Sequence, residues 1–259
     1  MLERNEIALY LSGQPVLIKE CSLLLTQPTI KQIVVFGENE FLQGAQIIGH
    51  YKAYVEIVRK ANEQDGVNEI ESYSDFQIFM IILYQEPIIR ESVKLFFQLI
   101  CPEYDVTFSE HMISFSVKED ENHVTVATIN PFTLDRFAEV VKNLFLMKGE
   151  KDIEYNPSND RAKAIRDKIL EGRRRTAAQK QLEDGKNTSL FGSYASILSI
   201  GLSMDINTIY NYTPFQLYDS VKRFYAKTSS DFYQRVSTMP LMDTSKMEVP
   251  EDWGRNFYK

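Results

Sequence analysis

Ile88 to Thr128 reads IIRESVKLFFQLICPEYDVTFSEHMISFSVKEDENHVTVAT, and within it the apolar spacing changes period. Ile89, Val93, Phe96, Phe97 and Ile100 recur every three or four residues, as in a helix that buries one face. Past Pro102, Ile113, Phe115 and Val117 alternate with Ser114, Ser116 and Lys118, the two-residue period of a half-buried strand. Glu119 to Asn122 is a polar turn, Val124, Val126 and Thr128 form the return strand of a hairpin, and Tyr104 to Phe108 adds a third strand. The two periods come in blocks and do not alternate as βαβ units, so the fold class is α+β.

Upstream, the apolar run Phe76 to Tyr84 follows Ser72 and Ser74 as candidate caps, stops at Pro87, and reads as a helix buried nearly all round. Glu38 to Ala61 places Phe41, Leu42, Ala45, Ile48, Tyr51, Val55 and Val58 on one side of a single helix. Thr26 or Thr29 caps a short helix from Ile30 to Phe36 that Gly37 closes, and Pro15 to Leu25 reads as one or two short strands. Downstream, Asn130-Pro131 ends the hairpin and Thr133 to Met147 is an amphipathic helix. Glu150 to Pro157 is polar and marks the expected boundary between an N-terminal α+β domain, 1–150, and a helical domain, 151–259. A charged helix from Asn159 to Leu182, a helix from Leu190 to Leu202 capped by Ser189, and a helical turn from Asp205 to Tyr210 follow. Helix therefore predominates.

The last helix is the most strongly patterned. In TPFQLYDSVKRFYAKTSSDFYQRVSTM, Thr213 to Met239, a capping threonine precedes a proline at the first helical position, and Leu217, Tyr218, Val221, Phe224, Tyr225, Phe232 and Val236 form an aromatic stripe. Such a stripe is expected in the core, with a docking face for a partner as the alternative. From Pro240 the tail is polar apart from Met247, Val249 and Trp253.

The 259 residues carry a net charge of −7, which disfavours nucleic acid as a partner for the chain as a whole. No run approaches the length of a membrane span, and the acidic start Met1 to Gly13 reads as neither signal peptide nor anchor. Cys21 and Cys101 sit among apolar residues and are expected as buried free thiols. His50, His111 and His123 show no ligand spacing, and phosphate loops, nucleophile elbows and paired-carboxylate signatures are absent, so no catalytic, metal or cofactor residues are assigned and an enzyme is not expected. Arg161 to Lys180 is a basic helix whose interleaved acids suit a solvated face, with Arg173, Arg174 and Arg175 as an alternative electrostatic contact. The helix pair 190–202 and 213–226 also has the outline of a DNA-reading unit, but offers one amide and an acid where base-reading residues belong.

Three stretches, LLTQPTIKQIVVFGENEF (24–41), YNPSNDRAKAIRDKILEGRRR (155–175) and YNYTPFQLYDSVKRFY (210–225) with Pro250-Glu251-Asp252-Trp253, together resemble the tail assembly chaperones of tailed bacteriophages. That resemblance implies a non-enzymatic protein of the host cell cytoplasm that binds the phage tape-measure protein and the tail tube protein without nucleic acid, membrane or cofactor, and it leaves self-association open. It implies partner contacts at Tyr218, Val221, Phe224, Tyr225 and Trp253 and at Arg173 to Arg175. The alternatives are a structural tail or baseplate component retained in the virion, and a DNA-binding regulator.

Overall fold

The computed structural model describes residues 4–64, 72–118, 124–146, 189–239, 249–250 and 252–254. The fold is α+β and predominantly helical. Its elements are α1 (Arg4–Ser12), β1 (Val16–Ile18), β2 (Leu23–Leu25), α2 (Ile30–Phe36), α3 (Glu38–Gly49), α4 (Tyr51–Gln64), α5 (Asp75–Gln85), α6 (Pro87–Ile100), β3 (Tyr104–Phe108), β4 (Ile113–Val117), β5 (Thr125–Ile129), α7 (Leu134–Phe145), α8 (Leu190–Leu202), α9 (Ile206–Tyr210) and α10 (Pro214–Ser237).

Helix α3 is the centre, packed between α6 and α7. Phe41, Phe96 and Phe145, one from each helix, form a ring cluster with centroids 5.4 to 5.7 Å apart. Gly44 makes the α3–α6 approach possible: a Cβ there would lie 2.4 Å from Phe96 Cβ and 2.6 Å from the Ser92 carbonyl oxygen. The antiparallel sheet, in the order β3-β4-β5, covers the other side of α6, where Phe97 stacks edge-on against Phe115 at 5.2 Å. The β1–β2 hairpin joins this layer through Thr26 N–H to the Ile100 carbonyl at 2.7 Å.

Serine and threonine caps start the helices as their sequence implies. Thr29, Ser74 and Thr213 each form a capping box with a glutamine three residues on, and Ser189 and Asp205 cap α8 and α9. Ile30 N–H donates to the Tyr212 carbonyl at 2.8 Å, so two boxes far apart in sequence meet in space.

Four expectations are corrected. The helix expected from Glu38 to Ala61 is two, because the chain leaves helical geometry at His50, which caps α3. Gly49 lies against the Leu146 side chain, and α4 turns away to pack on α5. An N-terminal helix, α1, is present where none was expected, buried through Tyr10. On the return strand the inward residues are Ala127 and Ile129, which pair with the buried Phe115 and Ile113, whereas Val124 and Val126 face outward. The β4–β5 register shifts between Phe115 and Ser116, and past that point Ser116 is buried and Val117 exposed. The boundary at Glu150 to Pro157, the helix Asn159 to Leu182 and the turn Glu119 to Asn122 lie outside the described residues.

Candidate partner-binding site

The capping box places α10 firmly at its N-terminus. Thr213 N–H donates to Gln216 Oε1 at 2.8 Å, Gln216 N–H donates to Thr213 Oγ1 at 3.4 Å, and Gln216 Nε2 reaches the Leu11 carbonyl of α1 at 2.7 Å. The first two turns that follow are enclosed by α1, α7 and α8: Pro214, Phe215, Leu217, Tyr218, Asp219 and Val221 are all buried. Tyr218, 4 % exposed, donates its hydroxyl to the Phe145 carbonyl at 3.3 Å and sits between the rings of Phe191 and Tyr194. Burial drives its phenol well above the usual tyrosine range.

Tyr218 and Val221, the latter 2 % exposed, are therefore core residues and not part of the exposed surface of α10. Phe224 is half-buried against Gly201 of α8, where a Cβ would overlap its ring at 2.3 Å. Tyr225 is 51 % exposed and Trp253 49 %. Arg173, Arg174 and Arg175 lie outside the described residues.

One relation was not drawn from the sequence. Tyr218, Tyr225, Phe232 and Met239 are seven residues apart, which on a helix is one nearly straight line. The line starts buried at Tyr218 and passes into solvent at Tyr225 and at Phe232, 59 % exposed; Met239, just past the helix end, is exposed as well. Ile200 and Leu202 of α8, on either side of the Gly201 contact, are exposed too. The seven-residue spacing was the available signal for Phe232; nothing local marks Ile200, whose helix carries no charged residue.

Trp253 is held beside this helix through a relay. Buried Asp219 accepts from Arg223 Nε at 2.8 Å, and Arg223 Nη1 donates to the Trp253 carbonyl at 3.0 Å. The arginine thus ties Trp253 to the level of α10 at which the apolar line emerges.

Other clusters offer less chemistry. A cavity of about 320 Å³ is lined by Leu42, Gln46, His50, Tyr54, Leu146, Leu190 and Tyr218, and burial together with Lys142 lowers the His50 pKa. Cys21 and Cys101 are free and buried, and burial raises both thiols above their ordinary value, away from thiolate reactivity at neutral pH. Among the described residues no group of three histidine, cysteine or acidic side chains could hold a metal, and no helix is long and apolar enough to cross a membrane. No family model, curated protein or solved structure matches the chain.

Proposed function

We propose that the chain is a tail assembly chaperone of a tailed bacteriophage, a non-enzymatic protein that holds the tape-measure protein in the host cytoplasm while the tail tube assembles. The observation that carries this reading is the apolar line on α10, which runs out of the core at Tyr225 and Phe232 with nothing of the described chain covering it. A seven-residue apolar repeat on one helix is the surface that a second amphipathic helix packs against, and a tape-measure protein is a long succession of such helices. The net charge of −7 helps keep the carrier soluble while it holds an apolar client.

Of the residues first assigned to the partner, Tyr225, Phe224 and Trp253 stay in this reading, Phe232 joins them, and Tyr218 and Val221 support the helix from within. Co-expression with the tape-measure protein encoded by the same phage should keep that protein soluble and yield a complex. Tyr225→Ser with Phe232→Ser should weaken capture by about 2 kcal/mol or more while the melting midpoint holds. Undiminished capture would remove α10 from the interface, and failure of the wild type to bind would remove the chaperone reading itself. Mass spectrometry of purified virions separates a chaperone, which is absent from them, from a tail or baseplate component, which stays.

A further inference from the structure

The three-stranded sheet ends on β3, and the backbone of that strand is only half paired. Lys118 N–H donates to the Glu103 carbonyl at 3.1 Å and Ser109 N–H to the Met112 carbonyl at 2.9 Å. These bonds flank a register that runs from Tyr104↔Val117 to Phe108↔Ile113 and so fix its alternation. Glu103, Asp105, Thr107 and Ser109 aim their backbone groups at β4, while Tyr104, Val106 and Phe108 aim theirs away from it. Within the fold, Tyr104 N–H is satisfied by the Cys101 carbonyl at 3.1 Å, and the Phe108 carbonyl by the Tyr84 hydroxyl at 3.1 Å. The Tyr104 carbonyl, both groups of Val106 and the Phe108 N–H have no partner among the described residues. A groove of about 520 Å³ at this strand is lined by Lys94 and Gln98 of α6, Tyr104 to Thr107 of β3, and Ser116, Lys118 and Thr125 on the β4–β5 side.

We propose that this edge pairs with the same edge of a second copy of the chain, antiparallel about a two-fold axis at Val106. In that register Val106 faces its counterpart and the two exchange N–H···O=C bonds across the axis. The Phe108 N–H of each copy donates to the Tyr104 carbonyl of the other. Every free group on both edges is used, and the two groups a longer ladder would also require are the ones the fold already satisfies. The edge is its own complement, which is the condition for an isologous interface. Asp105 then faces Thr107 of the second copy, so the acids are not opposed, and Tyr104 faces Phe108 as a cross-strand aromatic pair. The strand YDVTF also carries no proline, lysine or bulge of the kind that guards an edge against pairing.

Sedimentation equilibrium of the full chain across a concentration series tests the pairing, with a reversible monomer–dimer equilibrium expected. Thr107 is exposed and points away from the core, so its substitution leaves the fold intact. Thr107→Lys sets an ammonium opposite Asp105 twice per dimer and should tighten association, whereas Thr107→Asp should weaken it, by about tenfold in each direction at low salt. Val106→Pro removes the N–H that crosses the axis and should abolish the dimer with the far-UV spectrum retained, since an edge strand tolerates proline. Should that variant not fold, the two charge variants decide alone. A wild-type chain that stays monomeric, including one whose edge takes a foreign strand instead, overturns the proposal. So does a dimer whose constant is the same in Thr107→Lys and Thr107→Asp.

Discussion

Gly44 shows which of two opposed effects governs a single position. In the interior of α3 an alanine is the better helix former by about 1 kcal/mol, so propensity alone has Gly44→Ala stabilising. The new methyl would meet Phe96 Cβ and the Ser92 carbonyl at distances no real contact adopts, and one of those atoms is backbone. Relief requires α3 and α6 to part, at a cost of about 1 to 3 kcal/mol that overrides the propensity gain. The expected outcome is a lower urea midpoint at unchanged m-value, and a raised midpoint would mean the two helices are not held that close. Tyrosine ionisation is the other residue-scale observable. Burial with nearby Glu6 pushes Tyr10 up to about 12, burial and its hydrogen bond to Asp135 raise Tyr51, and burial raises Tyr218. A phenol whose folded pKa lies above its unfolded value near 10 stabilises the fold fully below that pH and progressively less above it. Tyr10, Tyr51 and Tyr218 should ionise only as the fold is lost toward pH 12. Phenolate absorbance recorded alongside circular dichroism checks this, and a single early titration of all of them would contradict the burial.

At the scale of elements, one carboxylate latches the N-terminus of α8. Glu38, at the start of α3, accepts from the Phe191 N–H at 3.1 Å and from the Ser189 hydroxyl, while Ser189 Oγ accepts from the Gly192 N–H at 2.7 Å. A carboxylate at a helix N-terminus satisfies donors that would otherwise be orphaned and meets the positive end of the helix dipole. Glu38→Ala should cost about 1 to 2 kcal/mol, and hydrogen exchange should speed up in the first turn of α8 while α6 and α7 keep their protection. Uniform acceleration across all helices would show that Glu38 acts on global stability and not as a latch. The cap of this helix was legible, since Ser189 precedes an apolar run, but the latch was not, because it joins residues some 150 positions apart. The same limit explains the other misses. The His50 break leaves the apolar period of residues 41 to 58 unbroken, and Gly49 against Leu146 is a tertiary contact. Among its described side chains helix α1 buries only Tyr10 deeply, with Phe215 as ring partner, so its own sequence carries little amphipathic signal. On α10 the aromatic stripe was plain, yet Tyr218 and Tyr225 are equivalent in sequence spacing. Only the reach of α1, α7 and α8 decides which of them is core and which is surface.

For the molecule as a whole, the question is whether the helices on either side of residues 147–188 are separate folding units. The buried side chains form one cluster from Tyr10 to Val221, and α10 closes it by packing Phe215 edge-on to Tyr10 at 5.3 Å. Phe215, Leu217, Tyr218 and Val221 together bury apolar surface worth roughly 6 to 12 kcal/mol, which is comparable to the entire net stability of a typical domain. The N-terminal layer also depends on α10 for polar groups, because Gln216 occupies the Leu11 carbonyl at the end of α1. A chain truncated before Ser189 would leave Tyr10, Phe145 and that carbonyl against water, and it should fail to show a cooperative melt. The full chain should unfold in one transition, with far-UV and tyrosine near-UV signals superimposing. Trp253, the single tryptophan, is a poor probe for this purpose, because it reports on a half-exposed segment held through Arg223. Two resolved transitions, or a truncated chain that melts cooperatively, would instead establish two domains that fold independently, with α10 contributing contact area but no obligatory part of the core.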